Sequence, residues 1–199
     1  RNLSATQIET YHLCRFQYFC RYGMNAKERR PAELGAIEYG SLMHFLLERV
    51  FRKYKGAEVA AFSQTELSQL VLGLIDEYAQ SCMGGAENRS ARFRFQLRRL
   101  ADSACIVIRH IGEELAQSRF APSYFELELQ NGTQFPPLRI PTEQGTVTIG
   151  GKIDRVDLAQ LHGETYVRIV DYKTGVKEFK LTDVLYGMNL QMLIYLAAL

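Results

Sequence analysis

The sequence predicts an α/β (α+β) chain in which helices come first, then a small mixed sheet of three or four strands, then a closing helix. Three observations carry this reading. Apolar residues recur every three or four positions through most of the chain before position 120. Beyond Pro122 the period falls to two, and β-branched and aromatic residues gather in short runs. After Lys180 the helical period returns. The expected organisation is one domain over 1–199, mainly helical over 1–120, with the sheet core and its following helix over 121–199.

Ser4 is a good N-cap for a first helix whose apolar residues Ile8, Tyr11, Cys14, Tyr18 and Tyr22 share a face, with Gly23 as its stop. A polar linker, Asn25 to Glu33 with Pro31 inside it, separates this helix from a second over Ile37 to Tyr54. In the second, Leu42, Phe45, Leu46 and Val50 point to the core. Ser63 caps a third helix through about Tyr78, before a Gly84-Gly85 break. The longest helix spans Asn88 to Gln117, with Phe93, Leu97, Leu100, Ala104, Val107, Ile111 and Leu115 on one face.

Arg89, Arg92, Arg94, Arg98 and Arg99 crowd the start of that helix. Such a cluster is a solvated face or, beside a cleft, a track for phosphates. Tyr124 to Gln130 alternates as a strand, and Asn131-Gly132 marks a turn. Thr146 to Leu158 is a second strand, in which Gly150-Gly151 is a bulge or a point of close approach. Glu164 to Tyr172 is a third, joined by a His162-Gly163 hairpin, and Lys180 to Leu199 closes as a helix.

Composition narrows the function classes. The chain is 47% hydrophobic and 23% charged, the balance of a globular domain. No apolar run approaches the roughly 18 residues that span a bilayer, so no membrane role is expected. The residues after Arg1 show no apolar leader, and the four cysteines Cys14, Cys20, Cys82 and Cys105 are too scattered for a disulfide framework. A reducing, cytoplasmic setting is the expectation. The net charge of +2 neither demands nor excludes a nucleic-acid partner. The missing start methionine and the apolar run up to Leu199 suggest a piece of a longer protein.

Two acidic positions carry the candidate chemistry. Asp154 lies within Gly150-Gly-Lys-Ile-Asp-Arg-Val-Asp157, and Asp171 within Ile169-Val-Asp-Tyr-Lys-Thr-Gly175. Period-two geometry puts Asp171 and Lys173 on one face with Tyr172 turned away. An acid and a lysine facing one cleft can hold a divalent cation and orient a water beside it, and Asp154 on an adjacent antiparallel strand could share that cation. Alone, the Asp-x-Lys spacing reads equally as an exposed ion pair at a strand end. Asp157 is expected to be exposed and uninvolved. Glu126 and Glu128 share one face of the first strand; the sequence does not choose between them, and the face reads equally as an exposed one.

Taken together and in order, these stretches resemble the RecB-type nuclease domains of the PD-(D/E)XK superfamily, most closely the AddB-like members. Leu3 to Tyr11, followed by Cys14 to Phe19, is similar to the family's opening helix. Gly40-Ser-Leu-Met-His44 resembles its Gly-x-x-x-His motif. Gly151 to Asp157 and Val170 to Gly175 resemble its two acidic motifs, and Gln191-Met-Leu-Ile-Tyr195 its Gln-x-x-x-Tyr motif.

The resemblance implies a restriction-endonuclease-like core with a helical insertion before the strands. It implies a metal-dependent deoxyribonuclease, an exonuclease domain of a helicase–nuclease complex in double-strand-break repair and recombination. His44, Asp154, Asp171 and the Tyr172 carbonyl would ligate Mg²⁺ or Mn²⁺, the imidazole leaning the choice toward Mn²⁺. Lys173 would position the water and counter phosphate charge, and Gln191 and Tyr195 would contact DNA or the catalytic acids. Apart from the resemblance, Arg92, Arg98 and Arg99 of the arginine cluster are the candidates for contacting DNA phosphates. The implied partners are single strands of unwound duplex and a helicase–nuclease partner subunit.

Cys14 matches the first of four iron–sulfur ligands in the AddB-like members. The other three have no counterpart here, so a complete cluster is not expected in this chain, though one is possible in the intact protein. Three other readings remain: a catalytically inactive DNA-binding scaffold, a stand-alone or CRISPR-associated nuclease of the same superfamily, and an unrelated metal-binding or protein-interaction domain whose motifs coincide. Retention of His44, Asp154, Asp171 and Lys173 weighs against the first, and the long helical stretch from Phe45 to Phe120 against the second.

Overall fold

A computed structural model describes residues 2–26, 36–83, 90–173, 175, 181–188 and 190–199. Pro31 and most of the expected linker, the Gly84-Gly85 break, Asn88, Arg89 and Lys180 lie outside the described residues. The elements run β1 (Asn2–Ser4), α1 (Ala5–Leu13), α2 (Arg15–Tyr18), a π-helical turn (Phe19–Gly23), α3 (Ala36–Lys53), α4 (Gly56–Ala61), α5 (Gln64–Met83) and α6 (Ala91–Gln117). The sheet strands β2 (Ala121–Leu129), β3 (Leu138–Thr142), β4 (Gly145–Leu161) and β5 (Glu164–Val170) follow, then α7 (Leu181–Leu185) and α8 (Gln191–Ala198). This is the mixed α/β architecture that the sequence predicts.

Among the described residues the sheet has five strands organised around β4, which pairs with each of the other four. β1 runs parallel to it, with Leu3 opposite Ile149, and β3 runs antiparallel, with Ile140 opposite Val147. His162 (φ 53°) and Gly163 (φ 83°) make the two-residue hairpin to β5. Two positive φ values in succession are what the twist of flanking strands asks of such a loop.

The chain divides into two compact units. The first comprises Arg1–Arg30, Glu126–Asp154 and Ile169–Leu199, and the second Pro31–Phe125 and Arg155–Arg168. The second owes its core to helices: Leu42, Leu46, Leu47 and Val50 of α3, Leu67, Val71 and Ile75 of α5, and Leu97, Leu100, Ala104 and Ile108 of α6 are buried. These are i, i+3, i+4 stripes, so each helix hides one face. α4 and α6 touch through glycines. A Cβ on Gly56 would lie 2.4 Å from Leu115 Cβ, and one on Gly112 would lie 2.7 Å from Val59 Cγ1. Arg109 then donates to the carbonyls of Ala60 and Phe62, groups that the short α4 leaves unpaired at its end.

Asp157 is a correction: expected exposed, it is fully buried. Arg155 grips both its oxygens, Nε to Oδ1 at 2.8 Å and Nη2 to Oδ2 at 3.0 Å. Arg168 adds bonds to Oδ2 at 2.9 and 2.7 Å and also pairs with Glu114. Burial works to lower the Arg168 pKa, but the bonds and charges of Asp157 and Glu114 outweigh it and hold the pKa above the usual guanidinium value. A carboxylate enters a core when forked donors replace its lost water, and two arginines do so here.

Within the first unit, Ser4 caps α1 in a reciprocal box, Ser4 Oγ accepting from Gln7 N at 3.2 Å and Gln7 Oε1 from Ser4 N at 2.8 Å. The expected single helix to Gly23 is interrupted. Cys14 adopts an extended conformation (φ −158°), and its Sγ accepts from Gln17 N to restart the chain as α2. Cys14 is exposed and not on a buried apolar face. The closing helix is likewise two helices, α7 and α8, parted at Gly187, whose φ of 77° no helix contains. β1, β3 and α4 carry three to six residues each, too few for a period to show.

Candidate active site

The first unit gathers acids from three separate stretches of chain. β4 brings Asp154 by strand alternation from Lys152, so both stand on the same side of the strand. The segment following β5 brings Asp171, Tyr172 and Lys173. β2 brings Glu126, which has a φ of 51° within a strand where burial no longer alternates. Left-handed backbone in a non-glycine residue is uncommon and marks a local kink that re-aims the side chain.

Hydrogen bonds join these stretches. The Tyr172 backbone N–H donates to Asp154 Oδ2 at 2.6 Å, tying the segment after β5 to the acid of β4. Carboxylate oxygens of Glu126 and Asp154 lie within 4.8 Å of one another, close enough to share one hard cation. Lys152 Nζ sits 2.5 Å from Glu126 Oε2, and Lys173 Nζ 2.6 Å from Asp171 Oδ2. Asp171 is nearly buried while Lys173 is about half-exposed, so the lysine covers the acid from the solvent side.

α8 supports this arrangement from below. Gln191 Nε2 donates to Asp171 Oδ1 at 2.8 Å and lies 3.3 Å from Tyr195 Oη, one turn further along. Tyr195 Oη donates to the Lys152 carbonyl at 2.9 Å. Its ring reaches the strand because Gly151 has no side chain: a Cβ there would fall 2.7 Å from Tyr195 Cε1. At Gly150 a Cβ would likewise fall 2.6 Å from the Leu129 carbonyl oxygen. The Gly150-Gly151 pair is thus the point of close approach that its sequence suggests. Burial pushes the Tyr195 hydroxyl pKa up, the charges of Asp171 and Asp154 add to this, and its bonds with Gln191 and Lys152 oppose it. The phenol therefore stays protonated and acts as a donor.

The first unit by itself assembles Glu126, Asp154, Asp171, Tyr172, Lys173, Gln191 and Tyr195. Glu126 is the residue that the sequence left open. Its partner in that choice, Glu128, accepts from Gln130 Nε2 at 2.6 Å on an exposed stretch. Glu126 alone of the two has the positive φ and lies beside Asp154, and strand alternation gives no hint of that kink. His44, half-buried on α3, belongs to the second unit. So do Arg92, Arg98 and Arg99, all exposed along α6. Cys14, Cys20, Cys82 and Cys105 are free thiols, and among the described residues no three cysteines gather into a cluster-binding set.

The donor chemistry fits a hard divalent cation: carboxylate oxygens dominate, and thiolates are absent from the set. A lysine beside the acids adds positive charge where a phosphoryl oxygen would gain negative charge.

The model for the PD-(D/E)XK nuclease superfamily matches residues 2–199. The chain is 34% identical over 201 residues to an ATP-dependent helicase/deoxyribonuclease subunit from Clostridium tetani, covering 100% of this chain and 18% of that protein. It is 36% identical over 200 residues to the protein of the same name from Clostridium botulinum strain Okra, with 99% and 17% covered. For the Caldanaerobacter subterraneus protein of that name the identity is 33%, with 98% and 17% covered. The chain thus spans less than a fifth of the length of these relatives.

Proposed function

The chain belongs to the PD-(D/E)XK nuclease superfamily, and from that premise we propose that it is the deoxyribonuclease domain of a helicase–nuclease complex, hydrolysing phosphodiester bonds with a divalent cation. The observation that carries this is the convergence of Asp154, Asp171 and Lys173 through the Tyr172–Asp154 and Gln191–Asp171 hydrogen bonds.

Glu126, Asp154 and Asp171 would hold Mg²⁺ or Mn²⁺, with the Tyr172 carbonyl as a further ligand. A cation bound there would supply a water of lowered pKa and positive charge against the phosphoryl group. Lys173 aligns that water and draws charge from the phosphoryl oxygens as phosphorus becomes five-coordinate, after releasing its contact with Asp171. Gln191 and Tyr195 hold Asp171 and the β4 backbone in place and take no part in proton transfer. Arg92, Arg98 and Arg99 are available to phosphates of the strand. The substrate is single-stranded DNA delivered by a helicase partner during break repair and recombination, in the cytoplasm, and cutting is exonucleolytic.

Cleavage of an end-labelled single-stranded oligonucleotide in Mg²⁺ and in Mn²⁺ tests the reading. Wild type releases short products, and D171A releases none. A wild type that binds the oligonucleotide and cuts nothing identifies a DNA-binding scaffold instead.

A further inference from the structure

The helix that carries Gln191 and Tyr195 starts without a cap of its own. Leu190 stands at its N-cap position and offers no side-chain acceptor. The free N–H groups of a helix start need partners, and a carboxylate is the best one because it also meets the positive end of the helix dipole. The partner here comes from the far end of the chain: Glu9 Oε1, on α1, accepts from Leu190 N at 3.0 Å and from Gln191 N at 3.3 Å. One turn further along α1, His12 backs the same segment. A Cβ on Gly187 would fall 2.6 Å from His12 Cδ2, so the ring lies directly against the turn that leads into α8. Glu9 and His12 are three residues apart and hence neighbours on one helix face.

Gln191 is therefore held at both ends. Its main-chain N–H is fixed by Glu9, and its side-chain amide fixes Asp171 Oδ1. We propose that Glu9 is a positioning residue of the nuclease site, a capping carboxylate contributed by α1 that sets the start of α8 and, through Gln191, the orientation of Asp171. The proposal rests on the nuclease reading above, since the consequence of moving Asp171 is catalytic. It also gives α1 a role beyond packing.

The test compares wild type, E9A and E9Q by amide hydrogen exchange and by steady-state cleavage of a single-stranded oligonucleotide. In E9A the Leu190 and Gln191 amides exchange roughly 10-fold faster and kcat falls roughly 10-fold, while KM stays within about twofold. E9Q keeps the Oε1 acceptor and restores most of both. E9D, one methylene short of the two amides, gives the same comparison if E9A does not fold. Unchanged exchange in E9A overturns the cap. Faster exchange with unchanged kcat makes Glu9 structural only and overturns its positioning role. A wild type without cleavage refutes the nuclease reading and with it the catalytic part of this one, and the exchange comparison then decides the cap alone.

Discussion

Gln191 Nε2 donates to Asp171 Oδ1 at 2.8 Å, so the first residue of α8 orients an acid twenty residues before it in the chain. A carboxamide can satisfy one lone pair of a carboxylate and leave the others for a cation, which a positively charged partner would compete against. Partners of this kind fix ligand geometry. Q191A is expected to lower Mn²⁺ affinity or kcat by about 10–100-fold without changing the fold. Calorimetric Mn²⁺ titration beside circular dichroism checks this, and an unchanged affinity together with an unchanged kcat refutes the role.

The Tyr195 ring occupies the space where Gly151 has no Cβ. G151A forces the ring away from β4 and strains the Tyr195–Lys152 hydrogen bond. The expected cost is about 1–3 kcal/mol of stability, the range for overpacking a close contact. Urea denaturation measures it, and the same substitution at Gly73, where an added Cβ would meet no other part of the protein within 4 Å, gives no comparable loss.

Asp157 is fully buried between Arg155 and Arg168. Removing it leaves a buried guanidinium without its counter-charge, whereas removing both partners is far milder. D157A is expected to destabilise by about 3–5 kcal/mol, lowering Tm by roughly 6–20 °C in a domain of this size. A thermal melt that matches wild type contradicts this reading of the core.

The Cys105 thiol pKa is raised, first by burial and then by Asp102, with Arg109 acting in the opposite direction. Cys14 and Cys82 are exposed. Near pH 8 a thiol reagent should modify Cys14 and Cys82 in the native protein and reach Cys105 only on unfolding. The raised pKa also fixes a sign. Its contribution to stability is complete below the unfolded thiol value of about 8.5 and is lost as pH rises through the folded value. Mass spectrometry of partially labelled protein checks the order of modification.

Periodicity made the long elements legible. α6 buries Leu97, Leu100, Ala104 and Leu115 of its expected stripe, although Val107 is exposed and Ile108 is buried in its place, and Ser63 and Ser4 sit at helix starts as capping residues should. Short pieces did not announce themselves, because the three residues of β1 and six of α4 are placed by what they pack on and not by a repeat. Asp171 and Lys173 stood out through spacing at a strand end. Glu126 could not be chosen over Glu128, since a positive φ within a strand leaves no mark in alternation. Asp157 misled for a related reason: its burial depends on Arg168, eleven residues away and joined to it only once β4 and β5 pair. Glu9 is the clearest case of a role invisible in sequence, because its partners Leu190 and Gln191 lie at the other end of the chain.

The central claim is that Asp154 and Asp171 hold a divalent cation that cleaves DNA. Its most direct measurement pairs Mn²⁺ titration with oligonucleotide cleavage on wild type, D154A and D171A. Wild type is expected to bind Mn²⁺ and cleave, chelation to abolish cleavage, and each variant to lose both binding and cleavage while keeping its fold. Cleavage that persists in D171A, or in wild type after chelation, contradicts the claim.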